Sequence, residues 1–71
     1  MNTTINQKFA NRLRELRQKF GYTQEKLAEL AGVDYKHVQL LESKNAPAAK
    51  LDTVEKIAKA FKIDVSKLLK F

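Results

Sequence analysis

Gly32 stands between two polar–apolar segments, TQEKLAELA and VDYKHVQLLE, and neither is long enough to be stable alone. An isolated helix shorter than about 12–15 residues is marginal in water, so both segments must borrow their stability from packing. A glycine at the joint permits a sharp change of direction. Two short helices set at a steep angle then each lend a few apolar residues to a core that other helices complete.

The remaining residues supply those helices. Phe9, Leu13, Leu16 and Phe20 recur at helical spacing and mark one face of a first helix, with Asn6 as a candidate start and Gly21 as a left-handed stop. Thr23 is placed to cap the second helix, whose inward residues are expected to be Leu27, Leu30 and Ala31. Asp34 is the candidate cap of a third helix, Tyr35 to Leu41, with Val38 and Leu41 facing inward. Residues 42–49 form the one loop of any length and hold the single proline, Pro47. Val54, Ile57, Ala58 and Phe61 make a fourth stripe, with Leu51 expected to pack at its start. Asp64 is the candidate cap of a last short helix carrying Leu68 and either Leu69 or Phe71. The expected fold is five short helices around one core. No alternating run of strand length, repeat or low-complexity tract interrupts it.

Size and charge bound what such a fold can do. A chain of 71 residues makes one domain, and a domain this small buries only roughly 60% of its unfolded surface. With no cysteine, disulfide stapling and thiolate chemistry are excluded. One histidine and two glycines leave little for a metal site or a phosphate loop, and no cofactor is expected. The opening residues lack an apolar run and no segment approaches membrane-spanning length, which is compatible with a cytoplasmic protein. Fourteen lysines and arginines against eight acidic residues give a formal charge of +6. That balance favours a polyanionic or acidic partner without choosing among DNA, RNA, protein and membrane. Lys56, Lys59, Lys62, Lys67 and Lys70 alternate with apolar positions and read as a solvated face. The apolar stripe beside them is needed for the core, so membrane binding is the weaker reading.

The stretch LRELRQKFGYTQEKLAELAGV, followed by VQLLE and then KIAKAFKIDVSKLL, resembles the Cro/C1-type helix-turn-helix family, the phage-repressor-like or XRE group. The resemblance runs over about residues 9–69 with order and spacing kept, and it implies a compact five-helix, lambda-repressor-like DNA-binding domain over residues 1–71. The helix from Gln24 then matches the family's positioning helix, and Asp34 to Leu41 its recognition helix. The resemblance gives Gln24 a phosphate contact, and a helix start adds backbone N–H groups to its amide donor.

Tyr35, Lys36 and His37 match the opening turn that the family inserts into the major groove. Lys36 is the best candidate for a base contact, to guanine O6 or N7. Tyr35 reaches a base edge, a thymine methyl or a phosphate, and His37 does either job or neither. Gln39, one turn on, is a further base-contact candidate or a solvent-facing residue. Leu40 departs from the family, which often has a polar side chain there; it either meets a thymine methyl or packs on the following loop. Ser43, Lys44, Asn45 and Lys50 match a loop that commonly lies along the phosphate backbone, with Arg14 joining from the first helix. Each is equally consistent with ordinary surface. Lys44 stands where the family commonly has glycine, and Asn45 is the candidate for a left-handed turn instead.

The resemblance also implies a largely buried ion pair between Arg17 and Glu42, since a buried charge is tolerable only with a partner. Catalysis is the weak reading: acidic residues are scattered and His37 has no orienting partner. The leading expectation is a homodimeric transcriptional regulator, most simply a repressor, binding a near-palindromic operator in double-stranded DNA. Leu68, Leu69 and Phe71 are the expected dimer surface, unless they complete the monomer's own core. The alternative is an antitoxin-like module that binds a toxin or other protein partner as well as DNA.

Overall fold

The computed structural model describes residues 4–71. They form α1 (Ile5–Phe20), α2 (Gln24–Ala31), α3 (Tyr35–Leu41), α4 (Leu51–Ala60) and α5 (Val65–Leu68), with no strand among the described residues. Helix α2 packs on α3 and α4, α1 packs on α3, and α5 closes against α4. All five contribute to a single buried cluster in which Leu13, Leu27, Val38, Ile57 and Leu68 lose all contact with solvent.

The boundaries follow from local chemistry. Helix α1 begins two residues earlier than Asn6 implies, because extended Thr4 is its N-cap and the Thr4 hydroxyl accepts from the Gln7 backbone N–H at 3.2 Å. Asn6 lies inside the first turn. Thr23 caps α2 in the same way, accepting from Lys26 N–H at 3.0 Å. Asp34 and Asp64 occupy the N-cap positions of α3 and α5, but neither side chain makes a capping hydrogen bond.

Helix ends share one device. Tyr22 N–H donates to the Arg17 carbonyl and Gly21 N–H to that of Gln18; Val33 and Gly32 repeat the pattern on Ala28 and Glu29. Gly21 and Gly32 sit in the left-handed region at φ 72° and 70°, as this closure requires. Helix α4 ends identically, with Ile63 donating to Ala58 and Lys62 to Lys59, yet the left-handed residue is Lys62 at φ 57°. In each case the next residue, Tyr22, Val33 or Ile63, folds back onto the core. Left-handed backbone costs a non-glycine residue roughly 1–2 kcal/mol, part of which glycine returns as unfolded-state entropy. Lys62→Gly is therefore expected to stabilise the protein by about 1 kcal/mol, seen as a higher urea midpoint at unchanged slope.

Three apolar positions depart from the sequence-based expectation. Leu30 is exposed, and Ala28 takes its place beside Leu27 and Ala31, because the buried arc of α2 centres between those three. Leu51 is 84% exposed: it opens α4 beyond the reach of the packed helices. Phe20 is partly exposed at the edge of the core. Its ring still meets Phe61 at 5.3 Å and Tyr22 at 5.5 Å, forming an aromatic cluster that closes the end of α1.

Candidate nucleic-acid interface

Helix α3 turns Val38 and Leu41 into the core, which leaves the opposite side of the helix to solvent. At 3.6 residues per turn, Lys36 points most directly away from the core, with Gln39 and Leu40 beside it and Tyr35 and His37 on the flanks. All five are exposed. Leu40 lies on this outward face and does not pack under the following loop.

The face is held in place by an ion pair behind it. Arg17 Nε donates to Glu42 Oε2 at 2.7 Å and Nη2 to Oε1 at 2.8 Å, a two-pronged contact across α1 and the end of α3. The third nitrogen, Nη1, donates to the Tyr22 carbonyl at 3.0 Å. The Glu42 side chain is 2% exposed and that of Arg17 15%. Hydrogen bonding to Glu42 raises the guanidinium pKa above its ordinary value, burial opposes this, and the charge of Glu42 adds to it. A raised folded-state pKa means that the guanidinium's contribution is complete below the ordinary arginine value and is lost as pH rises far into the alkaline range.

Gln24, at the first position of α2, joins the same cluster: its Nε2 donates to Glu42 Oε1 at 3.2 Å. With Thr23 capping, the start of α2 is not the uncapped terminus that an anion would meet alone, and the Gln24 amide is already partly engaged.

The loop after α3 is fastened from α1. Arg14 Nη1 donates to the Glu42 carbonyl at 2.8 Å while Nη2 donates to Asn11 Oδ1, so Arg14 holds the loop start as well as standing near it. Gln7 Nε2 donates to the Lys44 carbonyl. The Ser43 hydroxyl donates to the Leu40 carbonyl at 2.7 Å, which gives a carbonyl at the helix end a partner. Asn45 does not adopt a left-handed conformation, so these side-chain bonds shape the turn instead. Lys44, Asn45 and Lys50 remain exposed along the loop. Gln7 had no sequence signal for this role, because its partner lies 37 residues away.

The C-terminal end divides the expected dimer residues. Leu68 is fully buried in the monomer's own core, because α5 turns that side chain inward. Leu69 and Phe71 are partly exposed and, with Ile5, Phe9, Leu51 and Val54, line an apolar groove of about 300 Å³. Arg12 holds this end down, Nε donating to the Leu68 carbonyl at 3.1 Å and Nη2 to that of Lys67 at 2.9 Å, beside its ion pair with Glu15. Sequence reasoning missed Arg12, since a guanidinium on distant carbonyls leaves no local pattern.

A helix-turn-helix family model matches residues 13–68. The chain belongs to the helix-turn-helix family. Its fold is similar to that of the restriction-modification controller protein C.AhdI from Aeromonas hydrophila, with 38% identity, a TM-score of 0.82, and coverage of 89% of this chain and 94% of that one. No match was found among curated protein sequences. The helix-turn-helix itself is α2 and α3 joined at Gly32, and the Cro/C1-type resemblance holds for the element order as a whole. Among the described residues, no helix is long and apolar enough to cross a membrane, and no His, Asp and Glu cluster is arranged to hold a metal.

Proposed function

We propose that this helix-turn-helix protein is a sequence-specific regulator of transcription that binds a near-palindromic operator as a homodimer. DNA-binding transcription regulation is the role that the family and the controller-like fold support. The finer reading rests on one observation: α3 turns Lys36, Gln39 and Leu40 directly away from the core, flanked by Tyr35 and His37. In this role Lys36 bonds guanine O6 or N7, Tyr35, His37 and Gln39 contact neighbouring base edges, and the Leu40 side chain meets a thymine methyl. Gln24, Ser43, Lys44, Asn45 and Lys50, with Arg14 at the loop start, line the phosphate side. The formal charge of +6 suits a polyanion.

One recognition helix reads too few base pairs for a unique site, which calls for two copies. Leu69 and Phe71 at the apolar groove are the surface we assign to that contact. Bound where its operator overlaps a promoter, the dimer acts as a repressor in the cytoplasm, by binding and without catalysis. The likeness to a restriction-modification controller makes neighbouring restriction-modification genes the context to look for first.

The test is selection from random duplex DNA with the purified protein, then titration of the winner at several salt concentrations. The expected result is an enriched near-palindrome that takes up two chains and weakens as salt rises. Weak, salt-sensitive binding with no enrichment overturns the proposal. On the selected site, Lys36→Ala is expected to cost about 1–3 kcal/mol, roughly five- to 150-fold in affinity, with little change on scrambled duplex.

A further inference from the structure

Glu42 carries more than its ion pair. Its Oε1 accepts from Arg17 Nη2 at 2.8 Å and from Gln24 Nε2 at 3.2 Å. An ionised carboxylate only accepts hydrogen bonds, so the Gln24 amide must face it with nitrogen and not with oxygen. That fixes which way the amide lies. One N–H is committed inward, and no hydrogen bond among the described residues takes the other. Gln24 is only partly buried, at the first position of α2. The arrangement brings no net negative charge toward a polyanion, because Arg17 neutralises Glu42 in the same contact.

We infer that Glu42 is a positioning residue for DNA binding: paired with Arg17, it locks the Gln24 amide so that its second N–H is presented to a phosphate. The inference rests on the proposed phosphate role of Gln24 and adds a dependence to it. Without Glu42 the amide rotates freely and must be ordered at the moment of binding, which costs affinity on any sequence. The ion pair thus links the end of the recognition helix to the start of the positioning helix through one carboxylate.

The experiment is a binding cycle on the selected duplex, with Gln24→Ala made in the native chain and in Arg17→Met/Glu42→Leu. Replacing a buried ion pair by apolar residues of similar volume commonly leaves a protein folded, which circular dichroism verifies before any binding is measured. Gln24→Ala is expected to weaken binding about tenfold in the native chain and less than about threefold in the apolar-pair background. Equal losses in both backgrounds overturn the inference while leaving Gln24 as a phosphate contact. No loss in either removes the phosphate role and the inference with it.

A second measurement needs no DNA and no folded variant. In the side-chain amide NMR spectrum of the native protein, one Gln24 Nε2 proton should exchange with solvent more slowly than its twin. Two protons exchanging as fast as those of exposed Gln39 would overturn the locked geometry.

Discussion

Glu42→Ala is expected to lower folding stability by about 3–5 kcal/mol, because it leaves the Arg17 guanidinium without the carboxylate that justifies its place. The Glu42 side chain is 2% exposed and receives two bonds from Arg17 and one from Gln24, so all three donors lose their acceptor together. The loss is large against the few kcal/mol by which a domain of this size is stable. Arg17→Ala is expected to cost nearly as much, since it strands a buried carboxylate. The double variant should cost much less than the sum, and Arg17→Met/Glu42→Leu should come close to the native value. Urea midpoints of the four proteins check this. Additive single losses, or a Glu42→Ala cost under about 1 kcal/mol, would mean that the contact is only a surface pairing. The pair is thus a means of fixing geometry more than a source of stability, and what it fixes is the angle between α1 and the end of α3.

Where sequence and structure agree, the signal was local. The stripe Phe9, Leu13 and Leu16 and the stripe Val54, Ile57, Ala58 and Phe61 each lie on one helix face, and helical period alone places them. Gly21 and Gly32 end their helices because a left-handed residue is required at those points. Tyr35 and Leu41 bound α3 because Asp34 is extended before it and the loop begins after it. Lys36 faces outward by the same arithmetic that buries Val38 and Leu41.

Where they disagree, the deciding partner is distant in sequence or the cue is shared by neighbours. Thr4 and Asn6 are both competent caps, and only the backbone decides that Thr4 reaches Gln7 N–H. Leu30 and Leu51 look like core residues until the positions of α3 and the groove are known. Lys62 carries no glycine signal. Its closure was nevertheless hinted at by Ile63, which repeats the apolar residue found after Gly21 and Gly32. Beside its expected place near the phosphates, Arg14 makes a bond to the Glu42 carbonyl that spans 28 residues, and no pattern announces it. The same holds for Gln24 and Glu42, 18 residues apart. Outward-facing side chains of the site were legible and the Arg17–Glu42 pair came with the resemblance, whereas the bonds from Gln7, Arg14 and Gln24 that fasten the site were not.

The C-terminal leucines give the second large effect. Leu68→Ala is expected to cost about 2–5 kcal/mol in folding stability, since the side chain is fully buried in the core cluster and its loss leaves a cavity that α4 and α5 cannot collapse around fully. Leu69→Ala and Phe71→Ala, at partly exposed positions, are expected to leave the urea midpoint nearly unchanged and to weaken self-association instead. Adjacent residues would then separate into two roles, one within the chain and one between copies. The backbone between them is expected to stay in place in these variants, because Arg12 grips the Lys67 and Leu68 carbonyls, which no substitution here removes. Sedimentation and urea unfolding on the same three proteins distinguish the roles. If Leu68→Ala shifted association while stability changed by less than about 1 kcal/mol, its burial in the monomer would be wrong. If Leu69→Ala and Phe71→Ala left association intact, the groove would lose its assignment and the dimer would need another face.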